Sequence, residues 1–202
     1  MTGPTPLPPL VPARTALLAM DFQYAIVPLA PEPEALLARV GGAIADVRAA
    51  GGTIGHVRVA FTEDDWATVP DRNITFSAAA AMKGMHHEDD LTRIHPEVAP
   101  EDGDIVIRKV RFGAGSTTDL FERLAARGID TLVLAGVSTS GVVLSTLMDA
   151  ADRDYRVFVL SDGVADRDPE VDRVLVEKVF PSRAHVIDTA RLRELLGAHE
   201  TV

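Results

Sequence analysis

The chain has 202 residues, 47% of them hydrophobic, and carries 20 basic against 30 acidic side chains for a formal charge of −10. That length and apolar content supply one substantial core and exclude a disordered chain, while the acidic balance excludes nucleic-acid backbones and anionic membranes as principal partners, because both demand a basic face. There is no cysteine, which excludes disulfides and thiolate metal sites.

Residues Met1–Val11 are rich in proline, which denies the amide hydrogens that a helix or central strand needs. They are expected to form an extended arm able to cover a neighbouring subunit. The start of the chain lacks the charged head and apolar centre of a signal peptide, and no apolar run approaches the ~20 residues of a membrane span. A soluble, cytoplasmic protein is therefore expected, with residues 12–202 forming a single domain.

The first strand is expected over Ala16–Met20, followed by helical spacing over Glu34–Ala50 that closes on Gly51-Gly52 as a left-handed cap would. A second strand, Thr53–Ala60, leads into a long, polar and irregular segment at about 62–100, with one short helix around Phe76–Met82. An insertion of that size after a strand reads as a functional lid. Strand Asp104–Lys109, helix Thr118–Arg127, strand Thr131–Gly136 and helix Ser140–Arg153 come next, and Gly128 closes the first of these helices. Strand Arg156–Ser161, helix Pro169–Val179, strand Ala184–Ile187 and helix Thr189–Leu196 complete the alternation. Such alternation specifies a three-layer α/β/α, Rossmann-like fold, with a parallel sheet covered on both faces and joined by right-handed crossovers.

In sheets of this kind ligands bind beyond the carboxyl ends of the strands. Asp21 follows the first strand, Arg58 lies near the end of the second, Lys109 ends the third, and Ser138 to Val142 lead from the fourth into a helix. An aspartate drawn into so apolar a setting has a raised pKa unless a cation stands near it, and Lys109 is the candidate cation. Ser138, Thr139 or Ser140 can cap the following helix, whose amides around Gly141 and Val142 would favour a developing anion. Arg58 can grip a carboxylate or pair with an acid of the 62–100 segment, and Phe61, Trp66 and Phe112 can form an apolar wall or serve as core anchors.

His86-His87-Glu88-Asp89-Asp90 has a metal-like composition, but adjacent residues seldom converge on one ion. A solvated charged loop is expected there, and no metal. Gly113-Ala114-Gly115 lacks the third glycine of a dinucleotide loop, since that position is Thr118, and no cofactor is expected.

Three separated motifs occur in order: Leu17-Leu18-Ala19-Met20-Asp21-Phe22-Gln23; Ile107-Arg108-Lys109; and Leu134-Ala135-Gly136-Val137-Ser138-Thr139 with Thr146 and Asp149-Ala150 behind it. Together they span nearly the whole chain and resemble the isochorismatase-like hydrolase superfamily. The resemblance implies a six-stranded parallel sheet of order 3-2-1-4-5-6, a cis peptide at Val137–Ser138, and a homodimer or larger homo-oligomer acting on a small molecule. In the amidase members the triad is aspartate, lysine and cysteine; Asp21 and Lys109 match, and Val142 stands where the cysteine belongs. A covalent thioester at that position is excluded.

Isochorismatases proper also lack the thiol. They cleave a vinyl ether, with the aspartate supplying or relaying a proton and water attacking, although they place a tyrosine where this chain has Ser138. The resemblance thus implies a thiol-independent hydrolase with Asp21 and Lys109 as the catalytic pair; Gln23, Arg58, Phe61, Phe112, Ser138 and Thr139 are the candidate substrate contacts. The competing reading is a relative that kept the pocket and binds a ligand without turnover.

Overall fold

In the computed structural model, which describes residues 7–197, every residue of strands β1 (Thr15–Met20) and β4 (Thr131–Val137) is buried. Uninterrupted apolar runs of this kind belong at the centre of a parallel sheet covered on both faces. With β2 (Thr53–Val59), β3 (Ile105–Lys109), β5 (Arg156–Ala165) and β6 (His185–Ile187) they form one parallel sheet in the order β3-β2-β1-β4-β5-β6. This is the order that the resemblance implied.

Alternation along the central strands divides the core in two. Leu17, Ala19, Val133 and Ala135 face one side, where α1 (Pro33–Ala49) and α7 (Thr189–Gly197) bury Leu37, Val40, Leu192 and Leu196. Ala16, Leu18, Leu132 and Leu134 face the other, where α4 (Leu120–Ala126) and α5 (Leu144–Asp152) bury Leu120, Leu124 and Leu147. Pro33 opens α1, where its missing amide hydrogen is no loss. Residues 1–6 of the proline-rich arm lie outside the described residues; beyond them, Leu10 is fully buried in the first core cluster.

Four elements depart from the sequence expectation. The 62–100 segment holds two helices rather than one: α2 (Glu63–Ala67), fixed by a capping box between Thr62 and Asp65, and α3 (Ile74–Ala81), capped by the Asn73 side chain. Phe61, Trp66 and Phe76 cluster beneath them. The expected helix Ser140–Arg153 divides into a π-helical turn over Thr139–Val143 and then α5. β5 continues past Ser161 to Ala165, because a register shift between Leu134 and Gly136 lets Val164 and Ala165 pair again with Gly136 and Val137. The expected helix Pro169–Val179 divides as well, into α6 (Pro169–Val174) and a π-helical turn over Leu175–Val179. Among the described residues no helix is long and apolar enough to cross a membrane.

Candidate active site at the carboxyl ends of the strands

β1 delivers Asp21 to the end of the sheet. Its N–H donates to the Val57 carbonyl at 2.8 Å, prolonging the pairing with β2, but its φ of +60° is left-handed, a conformation that non-glycine residues seldom adopt. Met20 can sit against β4 because its partner there is Gly136, where an added Cβ would lie 2.9 Å from the Met20 carbonyl oxygen.

Lys109, the last residue of β3, reaches across the end of β2. Its Nζ lies 2.8 Å from Asp21 Oδ2 and also donates to the Arg111 carbonyl at 3.1 Å. Burial pushes the Asp21 carboxyl up to about 6, against the opposing charge and hydrogen bond of Lys109. The other carboxyl oxygen, Oδ1, is buried with no hydrogen-bond partner among the described residues. An unpartnered carboxyl oxygen in an apolar setting is costly, and sites of reaction are where such groups persist.

The third component is the turn after β4. The Val137–Ser138 peptide is cis. The Ser140 N–H and hydroxyl both donate to Asp166 Oδ2, at 2.8 and 2.6 Å, and the Thr139 hydroxyl donates to Asp172. Burial, reinforced by the charge of Asp166, raises the Asp172 carboxyl above its ordinary value, while the Thr139 hydrogen bond pulls it down. These two carboxylates latch the turn to the segment after β5. The Gly141 N–H donates back to the Ser138 carbonyl at 3.2 Å, so that amide is engaged within the turn. A Cβ at Gly141 would stand 2.7 Å from Ser138 Oγ.

A cavity of about 280 Å³ brings together Asp21, Lys109, Phe112, Ser138, Gly141 and Val142. Phe76, Asp166 and Arg167 also line it, and none of the three was expected there. The extension of β5 carries Asp166 and Arg167 to the cavity, and polar Ser161-Asp162 hid that extension by interrupting the apolar run. The recurrence of apolar Val164-Ala165 was the available signal.

Gln23, Arg58, Phe61 and Thr139 stand outside this cavity. Gln23 is fully buried: its amide nitrogen donates to the Val59 and Thr92 carbonyls at 2.9 and 2.8 Å, and its oxygen accepts from the Val59 N–H at 2.8 Å. Arg58 donates to the carbonyls of His87 and Thr92, both at 3.3 Å, and so fastens the 62–100 segment to β2. Phe61 is buried beside Phe76, and Thr139 is held by Asp172. Elsewhere, His86, His87 and Glu88 place one donor atom each within 4.8 Å of one another, closer than their adjacency led one to expect. They line no part of the cavity.

The isochorismatase domain is matched over residues 15–191. The chain belongs to the isochorismatase family. It is 32% identical over 159 residues to the maleamate amidohydrolase of Pseudomonas putida, covering 76% of this chain and 73% of that protein. It is 31% identical over 178 residues to the phenazine biosynthesis protein PhzD of Pseudomonas fluorescens, covering 88% and 84% respectively. A cysteine hydrolase structure from Pseudomonas syringae superposes with a TM-score of 0.86 over 98% of this chain and 99% of that one; at 21% identity it shows a shared fold. Within this family of hydrolases the present chain is cysteine-free.

Proposed function

We propose that this protein hydrolyses a small organic substrate without a thiol, with Asp21 as proton donor and Lys109 as the charge that stabilises the carboxylate left behind. The observation that carries this reading is the buried Asp21–Lys109 pair, with one carboxyl oxygen held by the ammonium at 2.8 Å and the other unpartnered. A carboxyl whose pKa is near 6 still holds its proton in part of the population close to neutrality.

On a vinyl ether this chemistry consumes one water and regenerates the acid. The Asp21 proton passes to the vinyl carbon, leaving an oxocarbenium ion on the substrate and a carboxylate beside Lys109. Water adds to the cation and returns its proton to Asp21, and the hemiketal collapses to a carbonyl compound and an alcohol. Val142 can form no covalent bond to the substrate, so water is the attacking species. Arg167 lines the cavity with no acidic partner among the described residues, which favours a substrate bearing a carboxylate.

The valine at the nucleophile position favours one other reading, ligand binding without turnover. A screen of vinyl ethers, esters and amides against the wild type and Asp21→Asn separates the two. The hydrolytic reading expects a vinyl ether to be turned over by the wild type and at least about a hundredfold more slowly by the variant. Substrates bound but never converted by either protein would support the second reading, and turnover that Asp21→Asn leaves unchanged would remove Asp21 from its role.

A further inference from the structure

Phe76 and Phe112 line two spaces at once: the 280 Å³ cavity that holds Asp21 and Lys109, and a neighbouring cleft of about 570 Å³. Their rings meet edge to face with centroids 4.9 Å apart, and Phe112 is 45% exposed. A wall of two aromatic side chains, one of them from a loop, is thus all that the two spaces share.

The cleft differs in character from the cavity. It presents Asn73, Ser116 and Ser145 together with three ionisable groups, Arg111, Asp149 and Arg153. Asp149 and Arg153 satisfy each other at 2.7 Å, and the Arg153 guanidinium lies 4.3 Å from the Phe121 ring centroid. Arg111 is left over. Its guanidinium sits 5.3 Å from the Phe76 ring centroid and donates to the adjacent Val110 carbonyl at 2.6 Å, with no carboxylate partner among the described residues. Two arginines and one aspartate leave the cleft with one uncompensated positive charge, in a chain whose formal charge is −10. The same loop is tied to the reacting pair, since the Arg111 carbonyl accepts from Lys109 Nζ at 3.1 Å.

We infer that this cleft is a second subsite, in which Arg111 takes a carboxylate at the far end of an extended substrate whose reacting end lies in the Asp21–Lys109 cavity. A single surplus charge matches a carboxylate better than a phosphate dianion. The planar guanidinium, already steadied on the Phe76 face, suits a bidentate contact, with Asn73 and Ser145 available as further donors. The assignment of the reacting end rests on the hydrolytic reading; the recognition of the tail does not.

The test is calorimetric binding of straight-chain α,ω-dicarboxylates from succinate to sebacate, each compared with its monomethyl ester. The subsite predicts one chain length at which the diacid binds at least about tenfold tighter than its half-ester, which is ~1.4 kcal/mol. Arg111→Met should bring that ratio near one, and Arg111→Lys, which keeps the charge but not the fork, should retain part of it. Asp21→Asn should keep the ratio while losing turnover, so that failure of tail recognition and failure of the hydrolytic reading are read separately. A ratio near one at every length in the wild type overturns the subsite without recourse to any variant, as does a ratio that survives in a folded Arg111→Met.

Discussion

The Lys109 ammonium lies 2.8 Å from an oxygen of Asp21, and neither side chain is more than 7% exposed. The two residues come from opposite sides of β2, so the sheet order itself brings them together. In such a setting desolvation opposes ionisation of the carboxyl, and the attraction between partners only partly offsets it. The raised pKa of Asp21 is the outcome of that contest; it ties stability, and under the proposed mechanism rate as well, to the protonation of one buried group.

A stability measurement reads the group directly. The folded carboxyl, at about 6 against an ordinary 3.8, binds its proton more tightly than the unfolded one. Its contribution is therefore fully present below pH ~4 and is lost as the pH rises through about 6, on the order of 3 kcal/mol in all. Asp21→Asn cannot titrate at this position, and it leaves Lys109 buried without its counter-charge. Urea unfolding of both proteins should show the wild type losing ground to the variant between pH ~4 and ~7, with a constant difference above. A difference flat over the whole range would show that Asp21 does not titrate there.

The turn after β4 depends on Asp166, whose Oδ2 accepts both hydrogen bonds from Ser140. Asp166→Ala should lower stability by about 1–3 kcal/mol and reduce kcat/KM, because it releases the backbone that carries Gly141 and Val142. Ser140→Ala removes only the hydroxyl contact and should have the smaller effect on both. Equal effects from the two changes would mean that the backbone N–H contact carries no weight.

Val142 is 2% exposed and lines the cavity with Lys109. Val142→Cys should therefore place a thiol at the cavity wall that forms a mass adduct with an activated ester. An inert thiol would show that the cavity does not support the geometry of a nucleophile at this position.

The strands, and Asp21 and Lys109 as candidates at their ends, were legible in the sequence from uninterrupted apolar runs such as Ala16–Met20 and from the rule that strand ends carry the site, whereas the strand order followed only from the resemblance to the isochorismatase-like hydrolases. Orientation was less legible. Gln23, Arg58 and Thr139 stand near strand ends, yet their side chains are drawn into hydrogen bonds with Val59, Thr92, His87 and Asp172, partners that only the tertiary fold supplies. Asp166 and Arg167 were hidden because polar Ser161-Asp162 interrupts the apolar run of β5 at the register shift, leaving apolar Val164-Ala165 as the one residue-level sign that the strand resumes. α2 was hidden by its length of five residues and by the acids that open it.

The most direct measurement is the pH profile of kcat/KM on a vinyl ether that the wild type converts, since it reports the essential groups of the free enzyme. With Asp21 as proton donor, the rate is at its plateau on the acid side and falls about tenfold per pH unit once the pH passes the Asp21 pKa of about 6. Asp21→Asn should abolish that limb and lower the rate by roughly 10²–10⁴. A wild-type rate that instead rises through pH ~6 to an alkaline plateau, or a variant that keeps the wild-type profile, would contradict proton donation by Asp21.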